Sequence, residues 1–566
     1  MLTRKKWKVT LVNLSLVFVF GAAVLVIPPM PVQAATTPVA ATASAVPDHL
    51  TLTWMQDPKT TQTITWRTAM TVKSGMVQYT RQADQVKFPG NAQSVSETAN
   101  KLDTNTGSFY IHSATITGLA PGTIYVYRVG DGTNWSNTCT FTTEAANPGF
   151  FKFLVFGDSQ SGIAADPNYG PWQTCVQNAF AANPDASFIT NIGDNVETGQ
   201  NYNHWENWFA AAKGVIDHIP DMEVQGNHET YLPPDNASSS KPIYWTAQFK
   251  LPQNGPGSLP GQTYSYDYGN VHFVVLDSQE LEESPISGDI LAVQEAWLKQ
   301  DLANTNKAWK IVMFHKTPYY NKATRSNEDI KAVFDPILDQ YHVDVVFNGH
   351  DHGYSRTYPI NNDQFVSSTN QGTVYIVTGR SGNKVYPDLS QKVWDTFFYD
   401  PQDQPMYIAA SVKGDTLTLD ATKADGTVID HYVMDKKANT KVATPMFQNT
   451  RMVIWGNMCQ QPYMETDPAQ IGGKWYVPVR SFFQFIGDTV TLSNTSDGTV
   501  TIQDGKNTFI VSANNANASV NGKNVALPDK PLLNGGHYLI SADDLQTLPG
   551  FAWKYDSKAN LLYFTK

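Results

Sequence analysis

The sequence predicts a multidomain chain: an all-β sandwich first, a layered α/β domain in the middle and a small α+β repeat module last. Three observations predict it. At 566 residues the chain exceeds a single hydrophobic core, since domains run to about 100–200 residues. Near Phe150 the texture changes from short alternating strands to apolar runs separated by helical stretches. From about Met452 a strand–helix–strand pattern occurs twice.

The sandwich is read over residues 47–145. Leu50-Thr51-Leu52-Thr53-Trp54, Thr63-Ile64-Thr65-Trp66 and Met76-Val77-Gln78-Tyr79 alternate with the two-residue period of strands. Ala114-Thr115-Ile116, a turn at Pro121-Gly122 and Tyr125-Val126-Tyr127-Arg128-Val129 continue it, and Ala145 to Gly149 reads as a linker. The middle domain spans 150–435, with a helical stretch at Ile290 to Leu302 and a return to β-like alternation from Ser411 to Met434. A polar linker over 436–450 leads to the module at 451–566. There Lys474 to Arg480 opens one copy of the repeat and His537 to Ser541 the other.

The first residues read as an export signal. Arg4, Lys5, Lys6 and Lys8 precede an apolar run from Val9 to Ile27, and Val32-Gln33-Ala34 supplies a small-residue cleavage site. Residues 1–34 are thus expected to be a signal peptide and 35–46 a linker, which makes the protein secreted or cell-surface. An uncleaved anchor is the alternative, the run being nearly long enough to span a bilayer.

Apolar content of 41% and charged content of 16% describe a folded protein. The net charge of −11 argues against a broad basic surface, so no nucleic-acid scaffold role is expected. Three widely spaced cysteines, Cys139, Cys175 and Cys459, form neither a disulfide framework nor a thiolate metal site and are read as small buried side chains.

Chemistry is concentrated in the middle domain. Five polar clusters each follow an apolar run: Gly157-Asp158-Ser159-Gln160, Gly193-Asp194-Asn195, Gly226-Asn227-His228-Glu229, His315, and Gly349-His350-Asp351-His352. If the runs are buried strands, all five clusters lie at strand C-terminal ends, where ligands of open α/β sheets gather. Asp, Asn and His together suit Fe, Mn, Zn or Ni better than Ca or Cu(I), and there are enough donors for two ions sharing a carboxylate.

In this order the clusters resemble the calcineurin-like metallophosphoesterases. The preceding domain resembles the fibronectin-III-like N-terminal domain of purple acid phosphatases, through Ile64 to Thr68, Gly118 to Thr123 and Tyr127 to Asp131. The last module is similar to the repeat named after the N-terminal domain of copper amine oxidases. The resemblance implies a central four-layer sandwich with two β-sheets and two divalent or trivalent ions, Fe, Mn or Zn. One ion would take Asp158, His352 and the bridging Asp194. The other would take Asp194, Asn227, His315 and His350. His228 would stand beside the phosphate, and a metal-bound hydroxide would attack in line.

Two departures stand out. Purple acid phosphatases carry a tyrosinate three residues after the bridging Asp, where this chain has Glu197; colour and ferric iron are therefore not carried over. Other superfamily members have a His two residues after the first Asp, where this chain has Gln160, a weak ligand or a group that orients water. Arg325 and Arg380 are candidates to grip the phosphate, and Lys322 lies nearby. His204, His218, His272 and His342 fall outside the motif and are read as structural.

The expected activity is hydrolysis of a small phosphate monoester. A phosphodiesterase or nucleotidase on the same centre is one alternative, and a catalytically retired surface-binding protein is another. The last module is expected to serve cell-surface attachment; the resemblance implies no copper site there.

Overall fold

The structure is a computed structural model. It describes residues 42–566 except 323, 324, 326, 446, 448, 460–465, 495–498, 535, 549 and 566. The expected signal peptide and most of the first linker therefore lie outside the described residues. Among the described residues no helix is long and apolar enough to cross a membrane.

Residues 48–142 form two four-stranded sheets packed face to face, as the alternation predicts. Inward residues such as Leu52, Ile64, Trp66, Val77, Tyr127 and Phe141 make their core. Trp54 goes elsewhere. Its ring lies 5.5 Å from those of Phe188 and Tyr268, in the core of the next domain. Arg67 secures the same boundary. Its fully buried guanidinium pairs with Asp48 at 2.8 Å and with Glu206 of the Tyr202–Ala212 helix at 3.0 Å.

The middle domain is built on two large sheets. One has five strands and pairs Phe151–Phe156 in parallel with Ala186–Asn191, then recruits the three antiparallel strands between Met406 and Asp435. The other has seven, with Val271–Val275, Trp309–Lys316, Val345–Gly349 and Val374–Thr378 parallel at its centre. The side-chain alternation of strands sorts two faces. In the Trp309–Lys316 strand, Ile311 and Met313 meet the other sheet, while Val312 and Phe314 meet Leu298, Leu302 and Phe334 of the covering helices. Phe153 meets Phe273 edge-on at 5.4 Å across the sheet–sheet interface. With the Gly170–Ala182 helix on the outer face of the five-stranded sheet, the order is helix, sheet, sheet, helix. This is the four-layer sandwich.

The last module is β-rich. Strands Lys474–Pro478 and His537–Ser541 pair antiparallel, each followed by a short helix, so the two copies of the repeat share one sheet. Phe482, Leu545, Phe551 and Phe564 fill its core. The module also lies against the middle domain. Val453, Leu561 and Tyr563 belong to the same cluster as Phe314, Tyr319, Phe334 and Trp394. The Val393 amide donates to the Gly456 carbonyl at 2.8 Å, and Lys554 reaches Asp363 at 2.6 Å. The first part of the expected 436–450 linker, through Val442, lies against the middle domain: Lys436 pairs with Asp344 at 2.8 Å, and the Val442 amide donates to the Ser367 carbonyl at 2.9 Å.

Candidate metal centre

Four of the five clusters arise where the sequence places them, at the C-terminal ends of parallel strands drawn from both sheets. The fifth differs. Met222 to Gln225 is not a regular strand; it touches the sheet through isolated bridges, Ile189 to Asp221 and Ile192 to Val224. Its buried carboxyl groups Asp221 and Glu223 interrupt the apolar run, and the Met222 and Val224 amides donate to the Ile189 and Asn191 carbonyls at 2.9 and 3.0 Å without extending into a regular strand.

The loops approach more closely than any side chain would allow. A Cβ on Gly226 would lie 2.2 Å from the Asp194 amide nitrogen. One on Gly349 would lie 2.8 Å from Asp158 Oδ2 and 2.9 Å from His315 Nδ1. Asp158, Asp194, His350 and His352 themselves take left-handed backbone conformations, with φ of 51°, 53°, 75° and 62°. Such strain in non-glycine residues gathers where a site over-determines the backbone.

The result is two buried groups of donors. Asp158, Asp194 and His352 form one, Asp194, His315 and His350 the other, and the donor atoms of each lie within 4.8 Å of one another. Asp194 belongs to both. His315 Nε2 is 3.1 Å from Asp194 Oδ2, and His352 Nε2 is 3.2 Å from Asp158 Oδ1. The remaining ring nitrogens fix the tautomers. His315 Nδ1 donates to the Ile192 carbonyl at 2.7 Å and His352 Nδ1 to the Lys384 carbonyl at 3.0 Å, which leaves each Nε2 lone pair facing the cluster. His350 turns the other way: its Nε2 meets Arg325, while Nδ1 lies 3.2 Å from His315 Nε2.

Asn227 fits the same pattern. Its Nδ2 donates to the Tyr231 hydroxyl at 2.8 Å, while Oδ1 is buried without a hydrogen-bond partner. His352 Nε2 is likewise buried and unbonded. Unpartnered buried lone pairs beside two carboxylates are what a cation would complete. The donor set therefore fits metal ions.

Electrostatics agree. Burial pushes the Asp194 carboxyl up, but the His315 and His228 charges outweigh it and hold the group well below the usual carboxylate range. Burial disfavours a charged His315, yet Asp194 lifts it to about 9. Burial and the Arg325 charge push His350 far down. A cation held by His315 would have to displace its proton, so binding there would weaken in acid.

The other candidates are placed as follows. The His228 amide donates to Asp194 Oδ1 at 2.9 Å, its Nδ1 donates to the Glu197 carbonyl, and its Nε2 stands 4.0 Å from Asp194 Oδ2. Gln160 gives its amide nitrogen to Glu197 Oε2 at 3.0 Å, and its Oε1 is buried without a partner. Arg325 reaches the rim of the cluster but is engaged by Asp351 and His350. Arg380 is not brought in. Its guanidinium donates to the carbonyls of Pro401, Gly382 and Gln402, so it braces a loop rather than meeting an anion. Of the outlying histidines, His272 is clamped between Asp267 and Asp301 at 2.8 Å each, a structural pair of contacts.

Sequence reasoning missed two residues. Glu229 stands in the Gly226-Asn227-His228-Glu229 block, yet its role was invisible: its carboxylate accepts the amides of Asp194, Asn195, Val196 and Gly226 at 2.7–3.3 Å. Lys384 brings its ammonium to 3.0 Å from His228 Nε2 and 3.2 Å from Glu197 Oε1. Only its place in the glycine-containing stretch of Arg380 could have signalled it. A third group, Cys139, Asp217 and His218, also converges. Burial pushes the Cys139 thiol up to about 12, the reverse of what a thiolate ligand needs.

Comparison with known proteins agrees with the order and fold of these domains. Residues 47–143 match the purple acid phosphatase N-terminal domain, 151–354 the calcineurin-like phosphoesterase family and 458–564 the copper amine oxidase N-terminal domain. The second match contains every proposed ligand. Purple acid phosphatase 15 of Arabidopsis thaliana is 29% identical over 316 residues, covering 50% of this chain and 55% of that protein. Acid phosphatase type 7 of Mus musculus is 27% identical over 371 residues, covering 59% and 78%. Among solved structures, a purple acid phosphatase from yellow lupin seeds superposes with a TM-score of 0.56 at 18% identity, over 69% of this chain and 74% of its own. PhoD does so with 0.52 at 16% identity, over 72% and 94%. At these identities the two structures speak to the fold alone.

Proposed function

We propose, starting from a central domain that is a calcineurin-like metallophosphoesterase, that this chain hydrolyses phosphate monoesters at a pair of divalent ions. The observation that carries this reading is the sharing of Asp194 between two buried donor groups. Asp158, Asp194 and His352 would hold one ion, and Asp194, Asn227, His315 and His350 the other. Bound there, such a pair supplies Lewis-acid activation of water and neutralises charge on the phosphate oxygens.

The chain's own residues do the rest. Carbonyls of Ile192 and Lys384 orient His315 and His352, and Tyr231 orients Asn227. His228 is held beside the bridging carboxylate, where it can meet a phosphate oxygen. Glu197 is not free to act as an anionic ligand: its carboxylate accepts from Gln160, Gly162 and Lys384. Only two carboxylates then face two ions, which favours Mn, Zn or ferrous iron over ferric iron. The Tyr386 ring is flanked by Lys322 at 4.1 Å and by Arg325 and Lys384 at 5.9 Å. A basic rim favours a monoester dianion over a diester monoanion.

We further read the reaction as taking place outside the membrane, on the order of charge, apolar run and small residues in 1–34, with the last module contributing to surface attachment. The test of the central reading is metal analysis of the purified protein, with chromogenic monoester and diester turnover before and after chelation. Near two equivalents of metal and chelator-sensitive monoester turnover, abolished by Asp194→Ala, are expected. A faster diester would overturn the monoester assignment. One equivalent or none, with no turnover after Mn, Zn or Fe is restored, would favour the retired surface-binding reading.

A further inference from the structure

The stretch that follows the Val374–Thr378 strand crosses beside the metal cluster, and it is pinned along its length. Arg380 ties it to Pro401 and Gln402. Gly382 lies so close to the Asp158 loop that a Cβ would come within 2.3 Å of the Ser159 backbone. The Asn383 amide donates to the Gln160 carbonyl at 3.0 Å, and its side chain to Ser161 at 2.9 Å. Lys384 is thus delivered to a fixed place. Its carbonyl accepts from His352 Nδ1.

Its side chain does something that no ligand assignment requires. The ammonium carries three donors. Glu197 Oε1 and His228 Nε2 take two, at 3.2 and 3.0 Å. The side chain is 19% exposed and two of its three donors are taken, which leaves one for a further acceptor. His228 in turn is the neighbour of Asp194, the residue both donor groups share. The other nearby cations are less available. Arg325 is taken by Asp351 and His350, Arg380 by backbone carbonyls, and Lys322 lies over the Tyr386 ring.

We propose that Lys384 is the residue that grips the substrate phosphate, with Glu197 as the counter-charge that holds its ammonium in place until substrate arrives. The proposal rests on the hydrolase reading for its substrate and on the geometry of the 380–384 stretch for its residue. It also gives Glu197 a purpose: the carboxylate serves the lysine rather than an ion. A lysine acts here as a compact point charge, suited to a phosphate oxygen.

The experiment compares the metal-loaded parent with Lys384→Ala, Lys384→Arg and Glu197→Gln. Inorganic phosphate binding is measured by calorimetry, metal content by elemental analysis, and KM and kcat with a chromogenic monoester. Lys384→Ala keeps the backbone carbonyl that orients His352, so two equivalents of metal should remain. Its phosphate affinity should fall, and its KM rise, by about 10- to 100-fold, the worth of one hydrogen bond to a charged group. Lys384→Arg should recover most of the loss. Glu197→Gln should bind phosphate at least as tightly as the parent. Phosphate affinity and KM within twofold of the parent in Lys384→Ala would overturn the proposal. So would metal loss in that variant with phosphate binding restored by excess metal, which marks a purely structural role. A parent that binds phosphate without hydrolysing the ester overturns the hydrolase reading, and phosphate affinity then decides Lys384 alone. A parent that does neither overturns both.

Discussion

Replacing Glu229 by Gln changes one atom and should dismantle the centre from behind. Glu229 is fully buried, and both carboxylate oxygens are acceptors. Oε2 takes the amides of Gly226 at 2.7 Å and Asp194 at 2.9 Å; Oε1 takes Asn195 at 2.8 Å and Val196 at 3.3 Å. A glutamine must turn its NH₂ toward one pair or the other. Whichever rotamer it takes, two buried amides then face a donor. Each orphaned buried N–H costs about 1–3 kcal/mol, so the variant should lose about 2–6 kcal/mol. The loss falls on the loops of Asp194 and of Asn227, so metal retention should fail with it. Hydrogen exchange of peptides spanning 192–197 and 224–230, together with metal content, checks this. The amides of Asp194 and Gly226, or of Asn195 and Val196, should lose protection while those of the distant sandwich keep theirs. Parent-like protection with two ions retained would refute the view that this carboxylate holds the loops together.

Two further predictions concern the scaffold. His272 is disfavoured as a cation by burial, but Asp267 and Asp301 outweigh that and lift it to about 9. Its contribution to stability is complete below about pH 6.5, the unfolded value, and is lost as pH rises through about 9. With Asp267 half exposed, a contribution of about 1–2 kcal/mol is expected. The destabilisation of His272→Asn should therefore shrink by that amount between pH 6 and pH 10 in denaturant titrations, and a penalty constant over that range would refute it. Gly456 has φ of 74°, and a Cβ there would lie 2.5 Å from the Trp394 ring. Gly456→Val should cost about 2–4 kcal/mol and open 436–450 to limited proteolysis by loosening the module from the middle domain. Unchanged cleavage would show that the shared core does not depend on this contact.

Much of this was legible because periodicity and punctuation are local. Alternation in Leu50 to Trp54 announced a strand, and the Gly-Asp and Gly-His pairs after apolar runs announced loops at strand ends. The Asp and His donors that converge could be read because each stands in its own short block, in a fixed order along the chain. What misled the reading was equally physical. Met222 to Gln225 resembles a strand by its alternate apolar residues, but Glu223 cannot pair into a sheet core without cost, and only bridges form. Arg380 has the charge for a phosphate, but each of its three nitrogens is engaged by a nearby carbonyl, those of Pro401, Gly382 and Gln402. Trp54 ends an alternating stretch of the sandwich, yet its ring packs into the next domain, because sequence cannot say which neighbouring domain lies closer to a given ring.

The sequence by itself determined the order of sandwich, α/β domain and repeat module, most of the strands and helices, and the kinds of donor residue that converge, since these depend on residue type and spacing within a few positions. Tertiary structure decided the rest. It brought Lys384 and Glu197 together across 187 residues of chain, set the tautomers of His315 and His352 through distant carbonyls, and laid the last module onto the middle domain. Each of those outcomes depends on which backbone passes within about 3 Å of which side chain, a distance fixed only when the sheets have packed.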